Sequence, residues 1–199
     1  FYFPPLTGSY VRAVRHVIFW LTLFLIPVWY LMTRYPEAVP AWLAFALPKE
    51  EGLVPIIVQL LFVEFVVDGL KMASMNTPDM LSNSLSVVGG LILGDFAVNL
   101  GWLIPEVIIL TAFVAIANFS QRSYELGYAF KFMRIMLLIL SGLLGIWGFL
   151  IGVALVIILL ATNKTINGEC KYLYPLIPFN GKALATVLFR VRKKDDVKK

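Results

Sequence analysis

The chain has 199 residues, of which 60% are hydrophobic and 15% charged, and its mean hydropathy is +0.84. Soluble domains carry about 25% charged and about 45–50% apolar residues, so the composition excludes an ordinary soluble domain and predicts an all-α integral membrane protein. The net charge of +5 does not indicate nucleic-acid binding, because seven of the 17 basic residues crowd the last 18 positions. Such a stretch is typical of a cytoplasmic end near anionic headgroups. We therefore expect the lipid bilayer, and no nucleic acid, as a partner.

No residue pattern of an enzyme is present. His16 is the single histidine and Cys170 the single cysteine, which argues against a metal site and excludes an intrachain disulfide. The sequence contains no GxSxG, no HExxH and no phosphate-binding GxxxxGK[ST]. We therefore expect no enzymatic activity, no catalytic or metal-binding residues and no cofactor.

The first apolar run that is long enough to span a membrane covers residues 14–33. It follows a lead-in over residues 1–13, and the basic residues Arg12 and Arg15, on either side of this boundary, place the N-terminal side of the span in the cytoplasm. Trp20, Trp29 and Tyr30 are suited to an interfacial belt. The short apolar stretch AWLAFAL, at 41–47 between prolines, is predicted to be interfacial or re-entrant.

Residues 53–72 form a helix-length apolar run that carries a stripe of charge. Glu64, Asp68 and Lys71 are spaced by four and three residues, which places them on one helix face. Lys71 can pair with one carboxylate but not with both. The stripe predicts either an amphipathic helix between the bundle and water or a span that lines a passage.

The organising stretch of the sequence runs from 84 to 119, which is long enough for two short spans. Gly101 and Pro105 predict the break between them, with one helix ending near residue 100 and the next starting near residue 105. An acid in a membrane helix costs about 2.5–3.5 kcal/mol on insertion scales, so it usually faces a bundle interior or water. Asp95 and Asn99 lie one turn apart on the same helix face, and they are our candidates for a polar pore lining, together with Glu64 and Asp68.

Residues 120–161 are predicted to form a surface helix followed by a membrane span. Residues 120–134 have aromatic and basic residues at helical spacing, which predicts an amphipathic helix at the headgroup level. Residues 135–161 form the strongest apolar run and would measure about 40 Å as one helix. Its glycines Gly145, Gly148 and Gly152 predict close helix packing, either within the chain or between subunits.

The resulting fold prediction is a transmembrane domain at 14–161 followed by a basic cytoplasmic tail at 162–199. Four spans (14–33, 85–100, 105–118 and 135–161) place both chain ends in the cytoplasm, and 53–72 is left interfacial or re-entrant. This arrangement places Lys131 and Arg134 on the side opposite to that expected from the positive-inside rule.

Seven stretches of the sequence resemble one family, and they extend over nearly the whole chain. They are LPKEEG (47–52), ExxxDGLKMA (64–73), NTP (76–78), SLSVVGGLILGDFAVNLG (84–101), PEVI (105–108), AIANFSQRSYEL (115–126) and YLYPLIPFN (172–180). In order and spacing they resemble the membrane domain of the spore germinant-receptor A-subunit (GerA) family. PEVI and SYEL are most similar to its stage V sporulation protein AF branch.

The resemblance implies a subunit of an oligomeric membrane complex in the inner membrane of bacterial endospores. Members of the family normally carry a soluble cytoplasmic domain before the first span, so 1–13 is read as its exit segment. Copies are thought to surround a central pore that releases ions early in germination, beside other germination membrane proteins. Glu64, Asp68 and Lys71 match the family's charged stripe, and its glycine-rich helix is matched by Gly89, Gly90 and Gly94.

Three functions follow from these observations. The leading hypothesis is a subunit of a homo-oligomeric, cation-conducting channel that acts in germination. The second is a nutrient-sensing receptor subunit that binds a small germinant. The third is a scaffold that recruits other germination proteins, in which Asp95 and Asn99 would only stabilise helix packing.

Overall fold

The computed structural model describes residues 5–49, 52–76, 87–119 and 124–162. Within these ranges the chain is helical and contains no strand, which confirms the all-α class. The helices of this part are α1 (Pro5–Arg34), α2 (Ile56–Asn76), α3 (Val87–Asn99), α4 (Pro105–Phe119), α5 (Tyr124–Leu144) and α6 (Ile146–Thr162). Two short 3₁₀ helices, Pro36–Ala38 and Ala41–Ala46, lie between α1 and α2, and a π-helical turn, Ile92–Phe96, lies inside α3.

Contacts near the helix ends give the direction of each helix. Gly89, near the start of α3, packs on Leu70 near the end of α2. Gly101, just after α3, accepts a backbone hydrogen bond from Leu53, just before α2, at 3.1 Å. The two helices are therefore antiparallel.

α1 and α5 run in the same direction. The carbonyl oxygen of Thr22 accepts a hydrogen bond from Arg134, and Arg34, at the end of α1, donates to the carbonyl oxygen of Gly142 near the end of α5. The bundle therefore has two distinct ends. At the end called here the charged end, α1 and α5 begin while α2 and α4 finish. At the opposite end, called the turn end, α1 and α5 finish while α2, α4 and α6 begin.

Two clusters of buried apolar side chains fill the bundle. The larger one joins α1, α2, α4 and α5 around Trp29, Leu60 and Val107. The smaller one joins α1, α5 and α6 around Leu23 and Leu137. Helices α1 and α5 take part in both clusters, so this pair joins the two parts of the core.

The turn end is fixed by hydrogen bonds to backbone groups. Gln59, which is 1% exposed, donates to the carbonyl oxygen of Val54 at 2.7 Å and accepts from the backbone N–H of Ile104 at 2.9 Å. Trp29 is 3% exposed and donates its indole N–H to the carbonyl oxygen of Ala46 at 2.7 Å. The predicted interfacial position of Trp29 is therefore wrong, because its ring is buried and holds a 3₁₀ helix against α1.

The predicted break between the two central helices is confirmed. Helix α3 ends at Asn99 and α4 begins at Pro105. Gly101 has φ +70, a conformation that costs little only for a residue without a Cβ.

The prediction of one helix over 135–161 is wrong. Gly145 has φ +63 and separates α5 from α6, which pack against each other as an antiparallel hairpin. A Cβ at Gly148 would lie 1.8 Å from the carbonyl oxygen of Leu140, and one at Gly152 would lie 2.7 Å from the side chain of Leu137. The small residues therefore allow close contact between two helices of one chain, and the apolar run is folded at its middle.

The prediction of a separate surface helix over 120–134 is also wrong for its described part. Helix α5 continues without a break from Tyr124 to Leu144. Lys131 and Arg134 are only 6% and 3% exposed, so they lie inside the bundle. Helix α1 likewise extends into the predicted lead-in, since it begins at Pro5. The predicted basic tail, from residue 163 onward, lies outside the described residues.

The outside of the bundle is strongly apolar. Phe65, Ile109 and Trp147 are each more than two-thirds exposed, and large apolar patches are rare on soluble monomers. In the part of the chain that the structure describes, two helical stretches, Tyr10–Arg34 and Glu125–Leu144, are long and apolar enough to cross a membrane.

Candidate functional site: a buried charge cluster and an exposed polar pair

Arg134 of α5 and Glu64 of α2 form the buried centre of a charge cluster. Arg134 Nε and Nη2 lie 2.8 and 2.7 Å from Glu64 Oε1, and Arg134 Nη1 donates to the carbonyl oxygen of Thr22 at 2.8 Å. The side chains of Arg134 and Glu64 are 3% and 7% exposed. One guanidinium therefore ties α5 to both α2 and α1, with its charge neutralised by a carboxylate.

Lys131 extends the cluster towards the charged end. Its Nζ lies 3.1 Å from Glu64 Oε2 and 2.5 Å from Asp68 Oδ2, and it donates to the carbonyl oxygen of Glu64 at 2.8 Å. Three oxygens thus surround an ammonium group that has three protons to donate. Asp68 is more open than the others, with 31% of its side chain exposed.

Helical spacing on both partners makes this cluster possible. Glu64 and Asp68 are one turn apart on α2, and Lys131 and Arg134 are about one turn apart on α5. The two helices are antiparallel, so the order of the pairs is reversed along α5. The spacing in the sequence correctly placed the two carboxylates on one helix face. It did not identify their partners, Lys131 and Arg134, which are 63 or more residues away along the chain. The sequence feature that could have indicated this contact is a pair of acidic residues in one apolar helix and a pair of basic residues in another, both with a spacing of about one turn.

A small cleft opens beside the cluster where α2, α4 and α5 meet. Its volume is about 20 Å³, enough for one water molecule. Asn118, on α4, is one of its lining residues, and its buried Oδ1 has no hydrogen-bond partner. Lys71 Nζ lies 4.7 Å from the centre of the Tyr128 ring, within cation–π range. The lining side chains are those of Glu64, Val67, Asp68, Lys71, Ala115, Asn118, Lys131 and Arg134.

Asp95 and Asn99 form a second polar feature, on the outside of α3. Asn99 Nδ2 donates to Asp95 Oδ1 at 3.0 Å, so the two side chains share a face as the spacing predicts. Both residues are exposed, and so are the neighbouring Ile92 and Phe96. Asp95 lies in the π turn, a feature that is frequent at functional sites. The structure therefore does not bring this pair together with the Glu64 cluster.

The three glycines of α3 differ in their surroundings. A Cβ at Gly89 would lie 2.5 Å from the side chain of Leu70, so this glycine lets α3 approach α2 closely. Gly90 and Gly94 have no neighbouring atom within 4 Å of a Cβ position. Within the described residues, no group of three His, Cys, Asp or Glu side chains is placed to hold a metal ion.

One protein-family model matches the whole chain. The family model described as Bacillus/Clostridium GerA spore germination protein covers residues 1–199. The chain belongs to the GerA family of spore germination proteins.

Curated relatives agree with this membership. Stage V sporulation protein AF of Bacillus subtilis (strain 168) is 38% identical over 190 residues, which are 95% of this chain. Spore germination protein KA of the same organism is 26% identical over 184 residues, or 91% of this chain. The chain spans only 38% and 34% of the lengths of these two relatives. No solved structure matches the chain.

Proposed function

We propose that this GerA-family chain is the membrane part of one subunit of an oligomeric complex that conducts cations across the inner spore membrane during germination. Family membership and the names of the relatives support the germination role. The apolar exterior and the polar pair on α3 support the membrane location and the conduction role.

In this proposal the bundle crosses the membrane six times rather than four. Successive helices from α1 to α6 alternate in direction, and six crossings return both ends of the described bundle to the charged end. Arg12 and Arg15, near the start of α1, favour a cytoplasmic position for that end. Lys131 and Arg134 no longer conflict with this orientation, because they are paired inside the bundle.

The observation that carries the proposal is the exposed Asp95–Asn99 pair. A carboxylate in a membrane helix is costly if it faces lipid, up to about 2.5–3.5 kcal/mol on insertion scales. Asp95 is exposed on an apolar helix surface, and its hydrogen bond to Asn99 uses one of its oxygens. We therefore place this face of α3 against water. Copies of α3 arranged around an axis would then form a ring of carboxylates that attracts cations.

A nutrient-sensing subunit is the second candidate, because the germination proteins among the relatives are equally consistent with it. In that case a germinant pocket would involve other chains, since the cleft of about 20 Å³ is far smaller than an organic germinant. A scaffold is the third candidate. Both alternatives predict that the protein does not conduct ions by itself or through Asp95.

Potassium efflux from liposomes tests the proposal. The vesicles carry the full-length protein, either unchanged or with Asp95→Asn, and insertion and assembly are verified for each. We expect efflux from the unchanged protein and about a tenfold reduction with Asp95→Asn, since a focused negative potential raises local cation concentration by that factor or more. Glu37→Asn, an exposed acid on a 3₁₀ helix, is the matched control and should conduct normally. Absence of efflux from correctly assembled protein would contradict the proposal.

A further inference from the structure

The charge cluster continues from the charged end to the middle of the bundle. Arg134 is ten residues into α5, which corresponds to about 15 Å along the helix axis. Charged groups at that depth are costly in a membrane unless they are paired or hydrated, and they commonly mark ion pathways.

Three successive turns of α2 meet α5 through charged side chains. Glu64 contacts Arg134, Asp68 contacts Lys131, and Lys71 lies over the ring of Tyr128. These three contacts form a seam, called here the charged seam. Towards the turn end, α2 instead contributes the apolar residues Leu60 and Val63 to the larger core cluster.

The two parts of α2 respond differently to water. When an apolar contact separates, the exposed groups gain no hydrogen bonds from water, so separation is opposed. When a buried ion pair separates, water solvates both charges, and this largely offsets the lost attraction. The seam is already open at one side, because Asp68 is 31% exposed and the cleft beside it has room for a water molecule.

Asn118, which lines the cleft, carries a buried acceptor. Its Oδ1 has no hydrogen-bond partner, which is unfavourable in a closed and dry site. Hydration of the cleft would bring water next to Asn118 and the partly exposed Asp68 together.

We propose that the charged seam between α2 and α5 is a conformational lock, which opens by hydration from the charged end and closes by re-forming the Glu64–Arg134 and Asp68–Lys131 pairs. Opening widens the cleft and gives water and cations access to the centre of the bundle. The use of this opening in ion release rests on the proposed function, whereas the opening itself does not.

Cysteine labelling in the full-length protein tests the lock. Ala115, which lines the cleft on α4, is changed to cysteine after the native cysteines, Cys170 among them, are changed to serine. The rate of modification by a small water-soluble thiol reagent then reports how often the seam is open. Asp68→Asn weakens one partly exposed ion pair, so we expect labelling to become about three- to fivefold faster. Glu64→Gln removes the carboxylate that both cations share, so we expect a larger increase, above about tenfold.

Glu106→Gln is the matched control, because Glu106 is a half-buried acid in the first turn of α4 at the turn end. Its labelling rate should equal that of the parent protein. Unchanged rates in both Asp68→Asn and Glu64→Gln, or an equal increase in Glu106→Gln, would overturn the lock. Potassium efflux is measured on the same samples. Faster labelling without any efflux would uphold the lock and contradict the proposed conduction.

Discussion

The two ends of the bundle are held together by different interactions. At the turn end, buried Gln59 bonds backbone groups on two segments, and Arg34 donates to carbonyl oxygens near the end of α5. At the charged end, α2 meets α5 through Glu64 and Asp68 on one side and Lys131 and Arg134 on the other. At the turn end these contacts involve packed apolar groups and satisfied backbone groups. At the charged end the contact between α2 and α5 consists of ion pairs beside a cleft, whereas α1 and α5 pack there through apolar side chains such as Phe130.

This difference suggests a division of roles within one bundle. Apolar groups at native packing density do not rearrange without losing their contacts, so the turn end should behave as a fixed base. Ion pairs can exchange their partners for water, so the charged end should be the part that moves. The account predicts that substitutions at the two ends change different properties, and the following experiments test that prediction.

The largest effect is expected from Glu64→Ala. This change leaves the buried cations Lys131 and Arg134 without their shared carboxylate. Breaking a buried pair by removing one partner typically costs about 3–5 kcal/mol, so we expect a loss of this size in the free energy of unfolding. The measurement is denaturant or thermal unfolding of the purified protein in detergent micelles.

Glu37→Ala is the control for this measurement, because Glu37 is exposed on a 3₁₀ helix at the turn end. Its effect should stay within about 0.5 kcal/mol. A loss for Glu64→Ala that is no larger than the loss for Glu37→Ala would show that the cluster does not hold α2 to α5.

Two glycine-to-alanine substitutions should change the free energy of unfolding by smaller amounts and in opposite directions. Gly148→Ala places a Cβ against the backbone of Leu140 in the α5–α6 hairpin, and overpacking of this kind costs about 1–3 kcal/mol. Gly90→Ala on α3 meets no atom within 4 Å and should stabilise the helix by about 0.5–1 kcal/mol. Unfolding of both variants in detergent checks the pair. Equal effects would contradict the close packing of α5 on α6.

Features set by nearby residues could be predicted from the sequence. The break between α3 and α4 follows from Gly101 and Pro105, which act on the local backbone. The Asp95–Asn99 contact follows from their spacing of one turn. In both cases the residues that determine the structure lie within one or two turns of each other.

Features set by distant residues could not be predicted in this way. The fold of residues 135–161 into a hairpin depends on Gly145, yet hydropathy is equally high on both sides of it, so the run reads as one helix. The partners of Glu64 are separated from it by 67 and 70 residues, and local spacing alone assigned Lys131 and Arg134 to a surface helix. Only the packing of α2 against α5 brings these charges together.

The central claim is that the Asp95 face of α3 lines the ion path. The most direct test is the reversal potential across a planar bilayer under a potassium chloride gradient. The full-length protein is incorporated into the bilayer with and without Asp95→Asn. We predict a cation-selective reversal potential for the unchanged protein and a shift towards zero for Asp95→Asn. Identical cation-selective reversal potentials for the two proteins would contradict the account, because the selectivity would then arise at a position other than Asp95.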